Sequence, residues 1–244
     1  MIGEAAPVPG PRYALYYAPR AGEPMAVFAR NWLGWDPETG TPRCTPAQFA
    51  EITAEPRRYG FHGTLKAPFA LAEGATEREL LAAVGTFAAT RTPFELPRLL
   101  LGDLGGFLAL VPPARVEPLH DLADACVAAF DAFRQPPDAK ELTKRQQLPL
   151  SARQEELLGL YGYPYVLDQF RFHLTLTGRL ADPKRRACVS AILSEKLAPL
   201  LEPSLPVRDL CLFRQADRTG PFTVMARFVL GGGRLVRAEV SQAA

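Results

Sequence analysis

Two of the three histidines in this chain sit in the same local context: residues 60–69 read GFHGTLKAPF and residues 171–178 read RFHLTLTG, so Phe-His-x-Thr-Leu occurs at both His62 and His173. With threonine near 5% and leucine near 10% of residues in general, a histidine is followed by x-Thr-Leu about once in 200 cases, and two of three doing so has a chance probability on the order of 10⁻⁴. Imidazole has an ordinary pKa near 6.5, so a pair of them can be neutral base and protonated acid at one pH. The third, His120, lies in PLHDLAD without the motif and reads as a surface or hydrogen-bonded residue.

On an extended strand alternate residues share a face. His62, Thr64 and Lys66 then point one way, with Phe61, Gly63 and Leu65 behind them. In the second copy Arg171, His173, Thr175 and Thr177 share a face, backed by Phe172, Leu174 and Leu176. Hydroxyls and cations beside a histidine suit an anion, phosphate above all: the cations attract its charge and the hydroxyls hydrogen-bond its oxygens. A catalytic zinc site usually takes three protein ligands, and neither polar face carries a second histidine or a carboxylate, so no metal and no cofactor are expected.

The elements that must hold these residues are punctuated by turn chemistry. RYALYYAP (12–19) reads as a strand, EPMAVFARNWLG (23–34) as a helix with a glycine stop, and YGFHGTLKAPF as a strand. ATERELLAAVGTFAATR (75–91) is an amphipathic helix with a Thr76/Glu79 capping box. FELPRLLLGDLGGFLALVP (94–112) reads as two strands about a glycine turn, and 117–134 as a helix with proline near its start. Then QFRFHLTLTGRL (169–180) is a strand, 182–201 a helix and 206–230 a hairpin. The order of the first half recurs, as a weak internal duplication: one bilobal unit over 1–244, with motif halves at about 12–134 and 169–232 and an unmatched polar insertion at 135–168.

A hydrophobic content of 48% with 22% charged residues describes a folded globular chain. The net charge of +2, from 28 basic and 26 acidic residues, comes without the basic block of a duplex binder, so DNA is not expected as a partner. The N-terminal residues lack a secretory pattern and no stretch approaches the roughly 18 apolar residues of a membrane helix, so the expectation is a cytoplasmic protein without a membrane partner. Cys44, Cys126, Cys188 and Cys211 are too scattered for a disulfide framework or zinc site, and Cys126 and Cys211 read as core residues.

The twin His-x-Thr motifs in a duplicated chain resemble the 2H phosphoesterase superfamily over most of the length. Together, YGFHGTLKAPF, GGFLALVP, YGYPYV and FRFHLTLTG are similar to its phosphonate-metabolism-associated branch. The resemblance implies an α+β, bilobal fold in which two antiparallel sheets face each other across a central cleft with helices outside. It also implies metal-independent opening of a cyclic phosphodiester, or the reverse reaction.

On that reading one of His62 and His173 deprotonates water and the other protonates the departing oxygen, which being which left open. Thr64 and Thr175 bond the nonbridging oxygens, and Lys66 and Arg171 offset phosphate charge. Tyr59, Tyr163 and Tyr165 are candidates for stacking on a base or sugar, with packing between lobes as the alternative. The branch implies a ribose 1,2-cyclic phosphate that also carries a 5-phosphate; Lys66, Arg171, Lys144 and Arg145 are the candidates for this second anion, and the insertion pair Lys144/Arg145 is favoured. The partner is then a small phosphorylated substrate. An RNA-end enzyme acting on 2′,3′-cyclic termini or 2′,5′ linkages ranks second, because an RNA groove needs a strip of cations and aromatics. A noncatalytic phosphate-binding regulator ranks third. The oligomeric state is open.

Overall fold

The computed structural model describes residues 10–136, 149–201 and 204–232, and the backbone of a short strand at 235–236. In chain order the elements are β1 (Arg12–Tyr17), α1 (Pro24–Leu33), β2 (Trp35–Asp36), β3 (Thr41–Pro42), α2 (Ala54–Arg57), β4 (Gly63–Ala70), α3 (Glu77–Ala89), β5 (Phe94–Leu96), β6 (Leu100–Asp103) and β7 (Leu108–Val111). There follow α4 (Glu117–Ala129), α5 (Ala152–Tyr161), β8 (Leu174–Thr175), α6 (Pro183–Leu201), β9 (Leu205–Val207), β10 (Asp209–Gln215), β11 (Phe222–Val229) and β12 (Leu235–Val236).

Local chemistry explains several boundaries. Gly34, at φ +78°, closes α1 in the left-handed conformation that glycine adopts without a Cβ penalty. Thr76 accepts a bond from the Glu79 amide while the Glu79 carboxylate reaches back to the Thr76 amide, which is the capping box expected at the start of α3. Ser151 and Gln154 do the same for α5. The helix expected over 117–134 ends at Ala129 and gives way to a 3₁₀ turn at Asp131–Phe133.

The fold is α+β with antiparallel pairing throughout its main sheet, whose order is β12-β11-β10-β1-β4-β8-β7-β6. Two sets of strands, β12-β11-β10-β1-β4 and β8-β7-β6, meet through one residue pair, Gly63 opposite Leu174, between β4 and β8. The two chain halves also exchange hairpins. The second-half hairpin β10–β11 attaches to β1 beside β4, and the first-half hairpin β6–β7 attaches to β8. The motif halves 12–134 and 169–232 are therefore interleaved in space. The stretch 94–112 holds three strands, and β5 leaves the main sheet to pair with β9.

One face of the sheet carries the main core. Leu15, Leu65, Leu174 and Leu212 pack there against Leu80, Val84, Leu122 and Cys126 of α3 and α4. The other face carries a smaller cluster of Ala14, Tyr16, Cys211, Phe213, Phe222 and Val224, with Tyr59 packed against it. Cys126 and Cys211 are fully buried, as their apolar surroundings predict. Among the described residues, no helix is long and apolar enough to cross a membrane.

Candidate functional site

His62 immediately precedes β4 and His173 immediately precedes β8, so the two central strands bring the motifs together. Each half-buried ring is anchored in the same way. The His62 Nδ1–H donates to the Gly60 carbonyl at 2.9 Å, and the His173 Nδ1–H donates to the Arg171 carbonyl at 2.8 Å. A carbonyl can only accept, so each neutral ring keeps its proton on Nδ1 and offers Nε2 as the base. The Gly60 carbonyl is presented by a left-handed turn (φ +72°) packed on Pro37. That proline belongs to the β2–β3 turn, which is pinned to the sheet by the ion pair of Glu38 with Arg227 and by the Val224 amide donating to the Pro37 carbonyl (2.8 Å).

His62 lies on the face of the smaller cluster, stacked on Tyr16 with ring centroids 3.9 Å apart and planes 27° from parallel. Burial pushes the His62 pKa down to about 4, opposed by its bond to the Gly60 carbonyl, and the charge that His173 would carry adds a smaller downward push. Burial also lowers His173, opposed by its bond to the Arg171 carbonyl. The Thr64 hydroxyl lies 3.3 Å from the His62 Nε2, where it donates to the bare nitrogen. Phe107 meets His173 edge to face at 5.8 Å.

A cleft of about 300 Å³ opens against this group, lined by His62, Tyr59, Gly60, Thr175 and Phe107, with Glu55, Gly178 and Arg179 among the other walls. Thr175 is half-buried on it, as strand alternation predicts. Thr177 is fully buried, and its hydroxyl accepts the Leu108 amide at 2.9 Å, tying the second motif strand to β7.

Two cations expected beside the phosphate stand elsewhere. Leu15 pairs with Lys66 and the next residue, Tyr16, pairs with Thr64, so Leu65 is an extra residue bulged into β4. A bulge resets the alternation of faces. Lys66 therefore points to the helix side, 4% exposed, where it donates to the Val127 carbonyl (3.1 Å) and pairs with Asp131 (3.5 Å). Arg171 is exposed and does not line the cleft; its backbone carbonyl is what orients His173.

Tyr59 lines the cleft and stacks on Phe222 (5.4 Å, 17°). Tyr163 instead packs edge to face on Tyr165 (5.6 Å), beside the cluster of Val127, Leu157 and Val166, and Tyr165 is exposed. Lys144 and Arg145 lie outside the described residues. His120 accepts from Arg115 at 2.8 Å and packs on Phe170, a partnered surface residue as expected. Three residues that alternation alone did not reach, Phe107, Glu55 and Arg179, face the site; Phe107 was visible only as part of GGFLALVP.

The placement of Lys66 yields a first test. Lys66→Met should keep turnover within about twofold and cost about 1 kcal/mol or less, because Asp131 retains its two bonds to Arg134 and no charge is stranded. Asp131→Ala strands the buried ammonium and should cost about 3 kcal/mol. Thermal unfolding and turnover of both variants check this, and a large loss of kcat in Lys66→Met at unchanged stability would return Lys66 to the site.

A family described as "Protein of unknown function (DUF1045)" matches residues 64–223. Two curated proteins called ribose 1,5-bisphosphate phosphokinase PhnN are similar. That of Janthinobacterium sp. (strain Marseille) is 40% identical over 176 residues, 69% of this chain and 39% of the relative. That of Laribacter hongkongensis (strain HLHK9) is 32% identical over 237 residues, 95% of this chain and 55% of the relative. The chain thus spans between two fifths and a little over half of the curated relatives it matches. Among solved structures, Escherichia coli LigT complexed with 3′-AMP aligns at 15% identity and a TM-score of 0.44, over 91% of this chain and 99% of that one. ATU0111 from Agrobacterium tumefaciens, described as a conserved protein of unknown function, aligns at 12% identity and a TM-score of 0.44, over 91% and 87%.

Proposed function

Because the chain belongs to the DUF1045 family, whose description leaves its function open, its chemistry has to be read from its own site, and we propose that it is a metal-independent 2H-type cyclic phosphodiesterase acting on a small sugar phosphate. The observation that supports this most is the matched pair of imidazoles. Both are anchored through Nδ1 on a carbonyl two residues back, both keep Nε2 unprotonated when neutral, and both sit beside a half-buried threonine.

The reaction follows from that pair. The Nε2 of one neutral imidazole takes a proton from water as the water oxygen bonds to phosphorus. The ring P–O bond breaks, and the other histidine, protonated at Nε2, gives its proton to the departing sugar oxygen. The product is a phosphomonoester, and each histidine ends in the other's starting state. Thr64 and Thr175 donate to the nonbridging oxygens as charge builds there. Two titrating groups pushed apart by their environments take opposite roles. His62, the more strongly depressed, is the base in this proposal, and His173 the acid.

The curated relatives carry a ribose bisphosphate in their names, and we propose a ribose cyclic phosphate as the substrate class here. The kinase chemistry in those names is not carried over: what this chain offers a phosphate is two His-x-Thr strands. A turnover screen of the purified chain against ribose 1,2-cyclic phosphates, 2′,3′-cyclic nucleotides and cyclic-ended RNA tests the reading. Preference for the RNA would favour the RNA-end alternative, and turnover of none would remove the proposal.

The pH profile is a second test. The base must be neutral, which holds above about 4 for His62, and the acid must be protonated, which holds below a His173 value itself lowered from 6.5. In the free enzyme kcat/KM should therefore peak below pH 6.5 and fall toward neutral pH. A bound phosphodiester anion stabilises imidazolium, so the bell in kcat should lie at higher pH than that in kcat/KM. Chelator should leave both unchanged. A kcat/KM maximum at or above pH 8, or activity lost to chelator and restored by a divalent cation, would replace this mechanism.

A further inference from the structure

His62 has no carboxylate to share the charge it takes up. Among the described residues no Asp or Glu bonds to it, and its polar partners are the Gly60 carbonyl at 2.9 Å and the Thr64 hydroxyl at 3.3 Å. The other titratable or charged groups around it are His173, the phenols of Tyr16 and Tyr59, Glu55 and Arg179 on the cleft walls, and Arg12 over the neighbouring Phe222 ring at 5.5 Å. Rings enclose it instead. Tyr16 lies against it at 3.9 Å and 27° from parallel, and Tyr59 and Phe213 stand farther out at 6.1 and 6.4 Å.

Strand alternation builds this wall. In RYALYY, Ala14 and Tyr16 face the smaller cluster while Tyr13, Leu15 and Tyr17 face the main core. Tyr16 pairs with Thr64 on one side and Cys211 on the other. Its ring is 1% exposed and packs on Phe213 at 4.9 Å and Phe222 at 6.1 Å, so the face it turns to His62 is fixed. His173 is placed differently: Phe107 meets it at 61°, and no ring among the described residues lies flat on it.

An aromatic face is electron-rich and attracts a cation held over it, more strongly where water is excluded. A neutral imidazole gains little from this. The stack therefore acts at the moment His62 takes up a proton, in a place where burial opposes the new charge. We propose that Tyr16 is a positioning residue for proton transfer, whose ring face stabilises the His62 imidazolium as it forms and stands where a carboxylate would otherwise share the charge. Tyr59 and Phe213 close the periphery against water. This rests on the reading of His62 as the base, and the two can be tested apart.

The titration of His62 is followed by nuclear magnetic resonance on the full chain, with Tyr16→Phe and with phenylalanine carrying one, two or three ring fluorines at position 16. Fluorine draws electron density from the ring face and barely changes its volume, so packing and burial are kept. Tyr16→Phe should titrate close to wild type. Along the fluorine series the His62 midpoint should fall steadily, by about one pH unit in all. The acidic limb of kcat/KM should move down with it, and kcat should fall about three- to tenfold. Mono- and difluorotyrosine at position 16 keep the hydroxyl and should show the same trend, which carries the test if Tyr16→Phe does not fold. Fluorination of the more distant Phe213 should move the midpoint by no more than about a third as much. A midpoint that follows the fluorines in a protein that turns over no cyclic phosphate would keep the stabilised imidazolium and remove the phosphodiesterase reading. Turnover with a midpoint that ignores the fluorines or rises with them would reduce Tyr16 to core packing and overturn the proposal, as would a kcat that stays level while the midpoint falls, or a larger response at Phe213.

Discussion

Replacing either His62 or His173 by alanine is expected to lower kcat by about 10²- to 10⁴-fold, the range that positioned proton transfer contributes. The double replacement should fall little further, because a base without its acid completes no turnover and the two losses describe one event. The assignment of roles adds a qualitative signature. His62→Ala should erase the acidic limb of the kcat/KM profile and His173→Ala the basic limb, each leaving the other. Fold damage is separable, since each ring is only half-buried and hangs on a backbone carbonyl that survives the substitution. His62→Gln, which refills much of the space on Tyr16, should unfold close to wild type and be equally slow. Full activity in any of these variants would remove the imidazole pair from the mechanism, and losses that multiply in the double variant would mean that the histidines act separately.

The sequence spoke most clearly where a rule acts over a few residues. The Thr76/Glu79 box, the Gly34 stop and the alternation Phe172/Leu174/Leu176 against His173/Thr175 are local, and all are present. The two motif strands lie side by side, joined at Gly63 and Leu174, a neighbour relation that no local rule stated. Lys66 was misplaced because strand alternation assumes an unbroken period of two, and the bulge at Leu65 puts an extra residue into it. No residue type at Leu65 announces that bulge; it is the register against β1 that shows it. Arg179 was missed for the converse reason. It follows Gly178, past the end of β8, where period-two reasoning stops, and only the return of the chain past Gly106 brings it to the cleft. The hairpin exchange was out of reach because periodicity tells which segments are strands and not which neighbours they choose.

Gly63→Ala should damage both motifs at once, although it changes the least conspicuous position in them. Gly63 is the x of the first His-x-Thr, and opposite Leu174 it makes the single pair joining β4 to β8. A Cβ built there lies 2.2 Å from the Phe172 Cε2 and 2.6 Å from its Cζ, distances at which something must move. The ring is 5% exposed and packs against Tyr17 at 6.0 Å, so it has little room to yield. Overpacking of this kind costs about 1–3 kcal/mol. The functional cost should exceed the structural one, because Phe172 precedes His173 and Gly63 follows His62, so relief of the clash displaces one imidazole or the other. A shift near 1 Å in a catalytic group can cost about 10²-fold in rate, and kcat of Gly63→Ala should fall by about that much while the protein still folds. Phe172→Leu removes the ring atoms that the new methyl would meet, so the double variant Gly63→Ala/Phe172→Leu should regain a large part of both stability and kcat relative to Gly63→Ala. Unfolding midpoints and kcat for the two single variants and the double variant decide the matter. Additive losses would mean that Gly63 is required for its backbone freedom and not for the closeness of the phenyl ring, and the seam between the two motif strands would then lose its role in setting the distance between the histidines.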